Sequence, residues 1–407
     1  MTKPLEFPIA RRCPFDPPEE YAQLRAEEPI VRVLLHRIDQ EVWLVTRHEH
    51  VRALLTDSRL SSDRFDPKFP QHRMLQQQLR EGFAGASKAL IGLDPPEHNA
   101  PRRMVVNEFT MRRVTGLRPR IQQIVDERID AMLAAGDKAD LYNELAAPVP
   151  ALVISELLGV PDEDRRYFQA QTEVLLQVTS TPEEQFAAGV ALNQFMEDLV
   201  TGKERDPGDD LLGRLVVRNR ETEVFTHPEL VGMAMLLLVA GHETVSNMIA
   251  LGTIALLRNP DAFAELRDNP DLVVNTIEEM LRFQPTTDGL PRVATEDIEI
   301  GGVTIKAGEG VMFSLTSANR DEQAFPNADE FDVRRGDRRH VSFGYGIHQC
   351  LGQNLARAQL EITFRTLARR IPTLRLAVDV DDLPYKETVA INGVCAIDGV
   401  SSLPVTW

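Results

Sequence analysis

The stretch FGYGIHQCLG, residues 343–352, decides the fold of this chain, because it places a cysteine in a glycine-punctuated loop just before a helical pattern. Gly344 and Gly346 let the backbone fold tightly beneath a flat ligand. Cys350 lies near the amino end of the following helix, where exposed N–H groups and the helix dipole favour a thiolate. We therefore expect Cys350 to bind a metal, with an iron–thiolate bond as the first hypothesis. The alternative is a buried structural cysteine in a glycine-rich turn.

The second informative stretch is AGHET, residues 240–244, inside an apolar run that extends from Leu230 to Leu257. A run that is apolar around most of its circumference predicts a helix through the core of a soluble protein. A glycine, an acid and a hydroxyl each cost helix or burial free energy there, which indicates a functional use. The alternative is that Thr244 bonds back to a carbonyl one turn earlier while Glu243 reaches solvent.

The cysteine loop carries a family resemblance. Its pattern Phe-x-x-Gly-x-His-x-Cys-x-Gly resembles the haem-binding loop of cytochrome P450 enzymes, in which a cysteine thiolate is the proximal haem ligand. The resemblance makes Cys350 the iron ligand. The loop residues that it assigns to the cofactor are Phe343, Gly344, His348 and Gly352.

The AGHET segment resembles the oxygen-binding groove of the same family. The resemblance implies that the small residues Ala240 and Gly241 let the helix approach the haem, while an acid–alcohol pair handles protons. Cleavage of the O–O bond consumes protons, and a hydroxyl with ordered water delivers them inside an apolar pocket. We expect Thr244 to orient that water and Glu243 to belong to a relay toward bulk solvent. His242 has no assigned role.

The resemblance covers essentially the whole chain, from CPF at residues 13–15 to LPVTW at residues 403–407. It implies a mainly α fold with small β sheets, the cytochrome P450 fold, as a single haem domain over residues 1–407. A long central helix would lie over haem b, which would be held between residues 240–244 and the Cys350 loop. The chain looks most like soluble actinobacterial enzymes that hydroxylate macrolides, statins or secosteroids.

Two haem propionates require positive or hydrogen-bonding partners. The resemblance assigns His98 and Arg102 to a helix start, Arg292 to a strand, and His348 to the cysteine loop. The residues between His98 and Arg102 depart from the usual family sequence, which puts only the position of the helix start in question.

A charged pair follows from the sequence EEMLR at residues 278–282, where Glu279 and Arg282 lie one helical turn apart. On its own this spacing is typical of an ordinary surface pair. It resembles the Glu-x-x-Arg motif of the family, a structural ion pair completed by a later arginine, for which Arg334 is the match.

The activity implied is that of a haem-thiolate monooxygenase that inserts one oxygen atom from O2 into a C–H bond. The sequence contains no flavin or Fe–S segment, so electrons are expected from a ferredoxin and an NAD(P)H-dependent ferredoxin reductase. A locally basic face would suit an acidic ferredoxin; the alternative is a solvated arginine run. The residues concerned are Arg334, Arg335, Arg338, Arg339 and His340.

Two rival functions remain open. A peroxygenase or peroxide-driven decarboxylase on the same fold would need no proton relay, and the intact pair Glu243 and Thr244 argues against it. A haem-based sensor or accessory protein would keep Cys350 without needing that pair.

The resemblance nominates several segments for substrate contact: the loop at 80–91, the helical region around 175–192, Leu237 and Ala240, residues 287–290 and the hairpin at Ile391. The apolar residues among them favour a bulky hydrophobic small molecule, although core packing explains the same residues. The expected pocket residues are Ile91, Leu176, Val178, Leu237, Leu290 and Ile391.

Composition excludes several classes of partner. The 407 residues include 45 basic and 62 acidic side chains, for a net charge of -17, which gives no electrostatic footprint for nucleic acid. The three cysteines form no Cys-x-x-Cys pair and suit a reducing cytoplasm. The N-terminus lacks a signal-peptide pattern, so no membrane anchor is expected, and we expect a cytoplasmic monomer.

Local patterns predict several elements. Residues 42–46 alternate as a strand and 50–55 fit a short helix, while 63–92 read as an irregular loop. Between residues 102 and 202 apolar residues recur at three- and four-residue spacing, which predicts several amphipathic helices in succession. Two β hairpins are expected, one at 298–305 around Gly301-Gly302 and one near 389–405, where the pentads AINGV and AIDGV repeat.

Overall fold

The computed structural model of the chain describes residues 5–9, 15–35, 40–71, 90–176, 180–385, 389–391, 395–397 and 399–407. Over these residues the chain is mostly helical with four small β-sheets, which confirms the predicted fold class. The chain forms two compact units, one made of segments 1–78, 251–350 and 378–400 and the other of segments 79–250, 351–377 and 401–407. The single-domain organisation stays a prediction.

The helices account for most of both units. In the described part of the chain they are α1 (Glu20–Glu27), α2 (His48–Leu54), α3 (Asn99–Val106), α4 (Met111–Ala135), α5 (Pro148–Leu158), α6 (Arg165–Leu176), α7 (Pro182–Arg205), α8 (Leu211–Thr222), α9 (His227–Arg258), α10 (Pro260–Asp268), α11 (Val273–Phe283), α12 (Leu315–Ala318) and α13 (Gln353–Arg370). Single helical turns lie at Leu90–Gly92, Asn107–Phe109, Tyr142–Ala146, Pro270–Leu272, Gly346–His348 and Val380–Asp382.

The strands are short. They are β1 (Glu6–Phe7), β2 (Ile30–Leu35), β3 (Gln40–Val45), β4 (Leu60–Ser61), β5 (Lys138–Asp140), β6 (Thr287–Asp288), β7 (Leu290–Ala294), β8 (Ile298–Ile300), β9 (Val303–Ile305), β10 (Gly310–Phe313), β11 (Arg375–Leu376), β12 (Val389–Ile391), β13 (Cys395–Ile397) and β14 (Pro404–Thr406). The sheets have the orders β1-β2-β3-β10-β7-β4, β11-β14-β5, β12-β13-β6 and β8-β9.

The six-stranded sheet of the first unit buries both faces, because successive side chains of a strand point to opposite sides. On β3, Val42 and Leu44 pack with Phe7 of β1 and Met312 of β10. Val45 points to the other face, where α2 contributes to a second cluster. Strand β10 pairs parallel with β3 and antiparallel with β7, so β7 takes its position from the middle of this sheet.

Helix α9 is the longest helix described, with 32 residues, and matches the helix predicted from the apolar run. Its length and hydropathy are sufficient for a membrane span, yet 72% of its most apolar 18-residue window is buried inside the protein. That burial is typical of the core helix of a soluble protein.

The predicted hairpins are confirmed where the chain is described. Strands β8 and β9 pair antiparallel, and Gly301 and Gly302 between them have φ angles of 57° and 82°, which favour glycine. Strands β12 and β13 also pair antiparallel, and β13 pairs with β6. The connection at 392–394 lies outside the described residues.

Other predicted elements are confirmed as well. The strand at 42–46 is β3, and the short helix at 50–55 is α2, which begins two residues earlier. Residues 72–89, most of the segment expected to be an irregular loop, lie outside the described residues.

Candidate functional site

The cysteine loop is closed by hydrogen bonds of its own backbone. The N–H of Cys350 donates to the carbonyl of Phe343 at 2.8 Å, and the N–H of Gly344 donates to the carbonyl of Val341 at 2.8 Å. Gly344 and Gly346 have φ angles of 67° and 74°, so both positions favour glycine. A side chain at Gly346 would also collide with the carbonyl oxygen of Leu55. The tight loop predicted from the glycines is present.

Cys350 is exposed, which is incompatible with a buried structural cysteine. Helix α13 begins three residues later at Gln353, and the carbonyl of Gly352 accepts the N–H of Ala356 at 2.9 Å, as in the first turn of a helix. In the sequence, Cys350 thus precedes a helix amino terminus by three residues, a position at which a thiolate is favoured.

Two predicted cofactor residues belong to the first unit: His348 lies in the cysteine loop, and Arg292 lies on strand β7. The ring of His348 shares a 3.0 Å hydrogen bond with the hydroxyl of Ser62, a residue that no sequence motif had indicated. Arg292 lies on β7 and donates to the carbonyl of Pro291 at 2.6 Å. Leu290, two residues earlier on the same face of β7, places its Cδ1 3.8 Å from the Cβ position of Gly344.

In the second unit, His98 and Arg102 are linked by a helical hydrogen bond from the N–H of Arg102 to the carbonyl of His98 at 3.1 Å. Helix α3 begins at Asn99, so Pro101 falls in the first turn, where a missing N–H costs nothing. The pKa of His98 lies below its ordinary value, mainly because the ring is buried and further because Arg102 is positively charged. His98 therefore favours the neutral form.

The AGHET segment lies in the middle of α9, also in the second unit. The hydroxyl of Thr244 donates to the carbonyl of Ala240 at 2.9 Å, so the back-bonded alternative describes its orientation correctly. Ala240 is exposed although most of the helix is buried. A methyl group on Gly241 would come within 3.2 Å of Ile154 Cδ1, so this glycine also serves the packing of α9 against α5.

Glu243 does not reach solvent, so this half of the alternative is wrong. Its side chain is buried, and its Oε1 accepts a hydrogen bond from the amide of Asn247, one turn later, at 3.0 Å. Asn247 was not selected from the sequence because an asparagine on a core helix has no distinctive pattern. His242 is buried as well.

The ion pair of Glu279 and Arg282 is present, and both side chains are 0% exposed. The guanidinium donates to the carboxylate through two bonds of 2.8 Å and to the carbonyls of Asn319 and Ala328 at 2.8 and 2.7 Å. A buried charge is tolerated when its hydrogen bonds are satisfied in this way.

The assignment of Arg334 to this ion pair is wrong, because Arg335 completes it. Arg335 Nε lies 3.2 Å from the Glu279 carboxylate and its side chain is 13% exposed, whereas Arg334 is 72% exposed and pairs with Glu265. The two arginines lie in a turn closed by the N–H of Arg335, which donates to the carbonyl of Asp332 at 3.0 Å, and the N–H of Asp332 itself donates to the Glu279 carboxylate at 2.9 Å. This turn directs Arg335 toward the buried pair and leaves Arg334 at the surface.

The predicted basic face is narrower than expected. Arg335 turns inward, and His340 is buried with its Nε2 3.0 Å from Glu278. The three arginines that remain exposed each have an acidic partner: Arg334 with Glu265, Arg338 with Glu278 and Arg339 with Asp337. The surface therefore carries both signs of charge.

The expected pocket residues are only partly described. Leu237 on α9 is buried, Ile91 is 45% exposed, and Leu290 is half-buried. Leu176 ends α6 and Ile391 ends β12, but their side chains, like the whole of Val178, lie outside what the structure describes.

Comparison with known proteins places these features in a family. A family model described as Cytochrome P450 matches residues 16–372. Pentalenic acid synthase of Streptomyces avermitilis is 46% identical, covering 100% of this chain and 98% of that protein. Vitamin D3 dihydroxylase of Streptomyces griseolus is 43% identical, covering 98% and 96% respectively.

A solved structure agrees over the full length. The mycinamicin VIII C21 methyl hydroxylase MycCI of Micromonospora griseorubida, bound to mycinamicin VIII, is 40% identical to this chain. Its TM-score is 0.88, and the match covers 99% of this chain and 100% of that one.

Proposed function

This chain belongs to the cytochrome P450 family of haem-iron monooxygenases, and we propose that it hydroxylates a bulky hydrophobic small molecule. The observation that carries the proposal is the exposed Cys350 at the end of a closed, glycine-shaped loop. A macrolide, a statin or a secosteroid is the class of substrate, a proposal supported by the names of relatives such as vitamin D3 dihydroxylase.

The residues of the site fit haem b. The exposed thiol of Cys350 would hold the iron of this group, and the positive φ and bare Cα of Gly344 would leave room for a flat ring. We assign the propionates to Arg102, Arg292 and the imidazoles of His98 and His348, whose N–H groups and charges suit carboxylates. When bound, the haem supplies the reduction of O2 and the insertion of one oxygen atom into a C–H bond.

Thr244 and Glu243 are proposed to manage the protons. The hydroxyl of Thr244 commits its proton to the carbonyl of Ala240, so its oxygen acts as an acceptor toward a water molecule. Thr244 therefore orients a water that donates, and does not itself give up the proton. Glu243, which is buried and accepts a hydrogen bond from Asn247, forms the inner end of a relay toward bulk solvent.

The electrons are proposed to come from a ferredoxin, reduced by an NAD(P)H-dependent ferredoxin reductase. A docking face for the ferredoxin is proposed at the segment just before the cysteine loop. It is supported by three arginines with exposed side chains, Arg334, Arg338 and Arg339. Because each arginine has an acidic partner, its attraction to an acidic ferredoxin is reduced, and the association should weaken further with added salt.

The experiment that tests this proposal compares the wild-type chain with Thr244→Ala and Thr244→Ser, with NADPH, ferredoxin reductase, ferredoxin and vitamin D3 as the first probe compound. We expect Thr244→Ala to keep consuming NADPH while product per NADPH falls about tenfold and hydrogen peroxide accumulates, since proton delivery is impaired. Thr244→Ser keeps the hydroxyl and should remain largely coupled.

Full coupling in Thr244→Ala would refute the role of Thr244. If the chain were a peroxygenase, it would form product from hydrogen peroxide alone. The yield of that product would then be the same in the wild type and in Thr244→Ala.

A further inference from the structure

A corner of the chain at Asp288 and Gly289 connects two sheets of the first unit. Strand β6 ends at Asp288 and pairs with β13, in the sheet that holds the hairpin β12–β13. Strand β7 begins at Leu290 and pairs with β10 and β4 in the six-stranded sheet. A single residue, Gly289, therefore separates strands that belong to different sheets.

The carboxylate of Asp288 is buried at this corner, with the residue 3% exposed. Its Oδ2 accepts the hydroxyls of Tyr21 at 2.9 Å and Ser314 at 3.2 Å, and its Oδ1 accepts the N–H of Thr316 at 3.2 Å. Tyr21 belongs to α1, and Ser314 and Thr316 form the start of α12. One side chain thus ties the corner to two helices.

Gly289 allows the chain to turn tightly at this corner and to pack against Phe7 and Met312. Its φ angle of 77° is one that favours glycine, and a Cβ there would lie 2.7 Å from the ring of Phe7 and 3.0 Å from Met312 Cε. Phe7 is buried on β1, so the ring occupies the space that a side chain would need. A larger residue at this position would therefore be strained by its backbone conformation and would collide with Phe7.

The residue after the corner, Leu290, lies next to the cysteine loop. Its Cδ1 is 3.8 Å from the point that a Cβ on Gly344 would occupy, so Leu290 borders the side of the loop on which Gly344 has no side chain, and Arg292 follows on the same face of β7. A shift of β7 relative to its neighbours would move both side chains. Burial of a carboxylate costs free energy unless it is well hydrogen-bonded, and at Asp288 that cost is offset by donors from two helices.

We propose that Asp288 is a positioning residue that sets ligand specificity, because its carboxylate fixes the corner between β6 and β7 and so the place of Leu290 beside the Cys350 loop. Asp288 acts through Leu290 and the hairpin β12–β13 and does not touch the ligand. This inference rests on the proposed function, in which Cys350 holds the haem, and on the sequence-based expectation that Leu290 lines the substrate pocket.

The test uses two probes that bind haem iron through an imidazole nitrogen and differ in bulk, imidazole and 4-phenylimidazole. Their Kd values are measured from the Soret shift of the haem-loaded wild-type chain and of Asp288→Ala, Asp288→Asn and Tyr21→Phe. Imidazole is the smaller probe, and we expect only the added phenyl group of 4-phenylimidazole to reach the side chain of Leu290. The ratio of the two Kd values therefore reports the shape of the site and is independent of haem content.

We expect Asp288→Ala to weaken 4-phenylimidazole about tenfold relative to imidazole, equivalent to ~1.4 kcal/mol. Tyr21→Phe removes one of the donors and should change the ratio in the same direction by a smaller factor. Asp140→Ala is the matched control, since Asp140 also accepts a hydroxyl and a backbone N–H, from Ser402 at 2.7 Å and Leu403 at 2.9 Å, on a different sheet. It should reduce stability without changing the ratio.

A ratio within twofold of the wild-type value in both Asp288→Asn and Tyr21→Phe would overturn the inference, even if Asp288→Ala fails to fold. The inference would also be overturned if Asp140→Ala changed the ratio of the two Kd values as much as Asp288→Ala does. The change would then reflect a general loss of stability. A wild-type chain that shows no thiolate-ligated haem would instead reject the proposed function, which is a separate result.

Discussion

Arg334 and Arg335 are neighbours with opposite surroundings, which provides a matched pair of substitutions. Arg335 lies 3.2 Å from the buried Glu279 and donates to the carbonyl of Asn327 at 3.0 Å, whereas Arg334 makes an exposed pair with Glu265. We expect Arg335→Ala to lower the free energy of unfolding by about 2 kcal/mol, since a buried charged hydrogen bond is lost. Arg334→Ala should cost less than about 0.5 kcal/mol.

Urea unfolding of the haem-loaded protein, followed by far-ultraviolet circular dichroism, measures both values. A larger loss for Arg334→Ala than for Arg335→Ala would contradict the assignment of Arg335 to the buried pair.

The same two arginines show the limit of sequence reasoning at the scale of a residue. The motif indicated that a later arginine completes the pair of Glu279 and Arg282, but a loop has no periodicity that selects one of two adjacent arginines. The selection is made by the loop backbone, where the N–H of Asp332 donates to the Glu279 carboxylate at 2.9 Å. Ser62 beside His348 and Asn247 beside Glu243 were missed for a related reason, because only the fold brings such common polar residues to their partners.

At the scale of an element, His227 attaches the start of α9 to the end of α7. Its Nε2 lies 2.7 Å from Glu197 and its Nδ1 3.0 Å from Glu204. Burial alone would lower the pKa of His227, but the hydrogen bonds that its ring N–H groups donate to the two carboxylates outweigh this effect and raise the pKa above the ordinary value. A raised pKa means that the folded state binds the proton more tightly than the unfolded state.

The contribution of His227 to stability is therefore full below its unfolded pKa and is lost as pH rises through its folded pKa. We expect His227→Gln to lower the free energy of unfolding at about pH 5.5 by up to about 1 kcal/mol, and by less at about pH 9, because the contact is partly screened by solvent. Glu197→Gln should remove part of this pH dependence. Urea unfolding at the two pH values measures the loss of unfolding free energy in each variant. A loss in His227→Gln that grows with pH would contradict the prediction.

Element prediction succeeded where the signal is local. The glycine pair of the β8–β9 hairpin and the apolar run of α9 specify their own conformations, and both elements formed as expected. The parallel pairing of β3 with β10 had no such signal, because the two strands are far apart in the chain and their pairing depends on the whole sheet. The corner at Asp288 was unpredictable for the same reason.

At the scale of the whole molecule, the residue patterns of the cysteine loop and of the AGHET segment indicated the family. Matches over the full chain confirm it. The substrate is less accessible to sequence reasoning, since apolar side chains such as Leu237 serve core packing and ligand contact equally well. The identity of the oxidised compound therefore depends on binding experiments.

The most direct test of the account is the carbon monoxide difference spectrum of the dithionite-reduced protein, recorded for the wild-type chain and for Cys350→Ser. Thiolate ligation by Cys350 predicts a band at about 450 nm in the wild type that is absent from Cys350→Ser, because a hydroxyl is a poor replacement ligand. A wild-type spectrum without a haem band, or a band at about 450 nm that persists in Cys350→Ser, would contradict the central claim that Cys350 is the iron ligand.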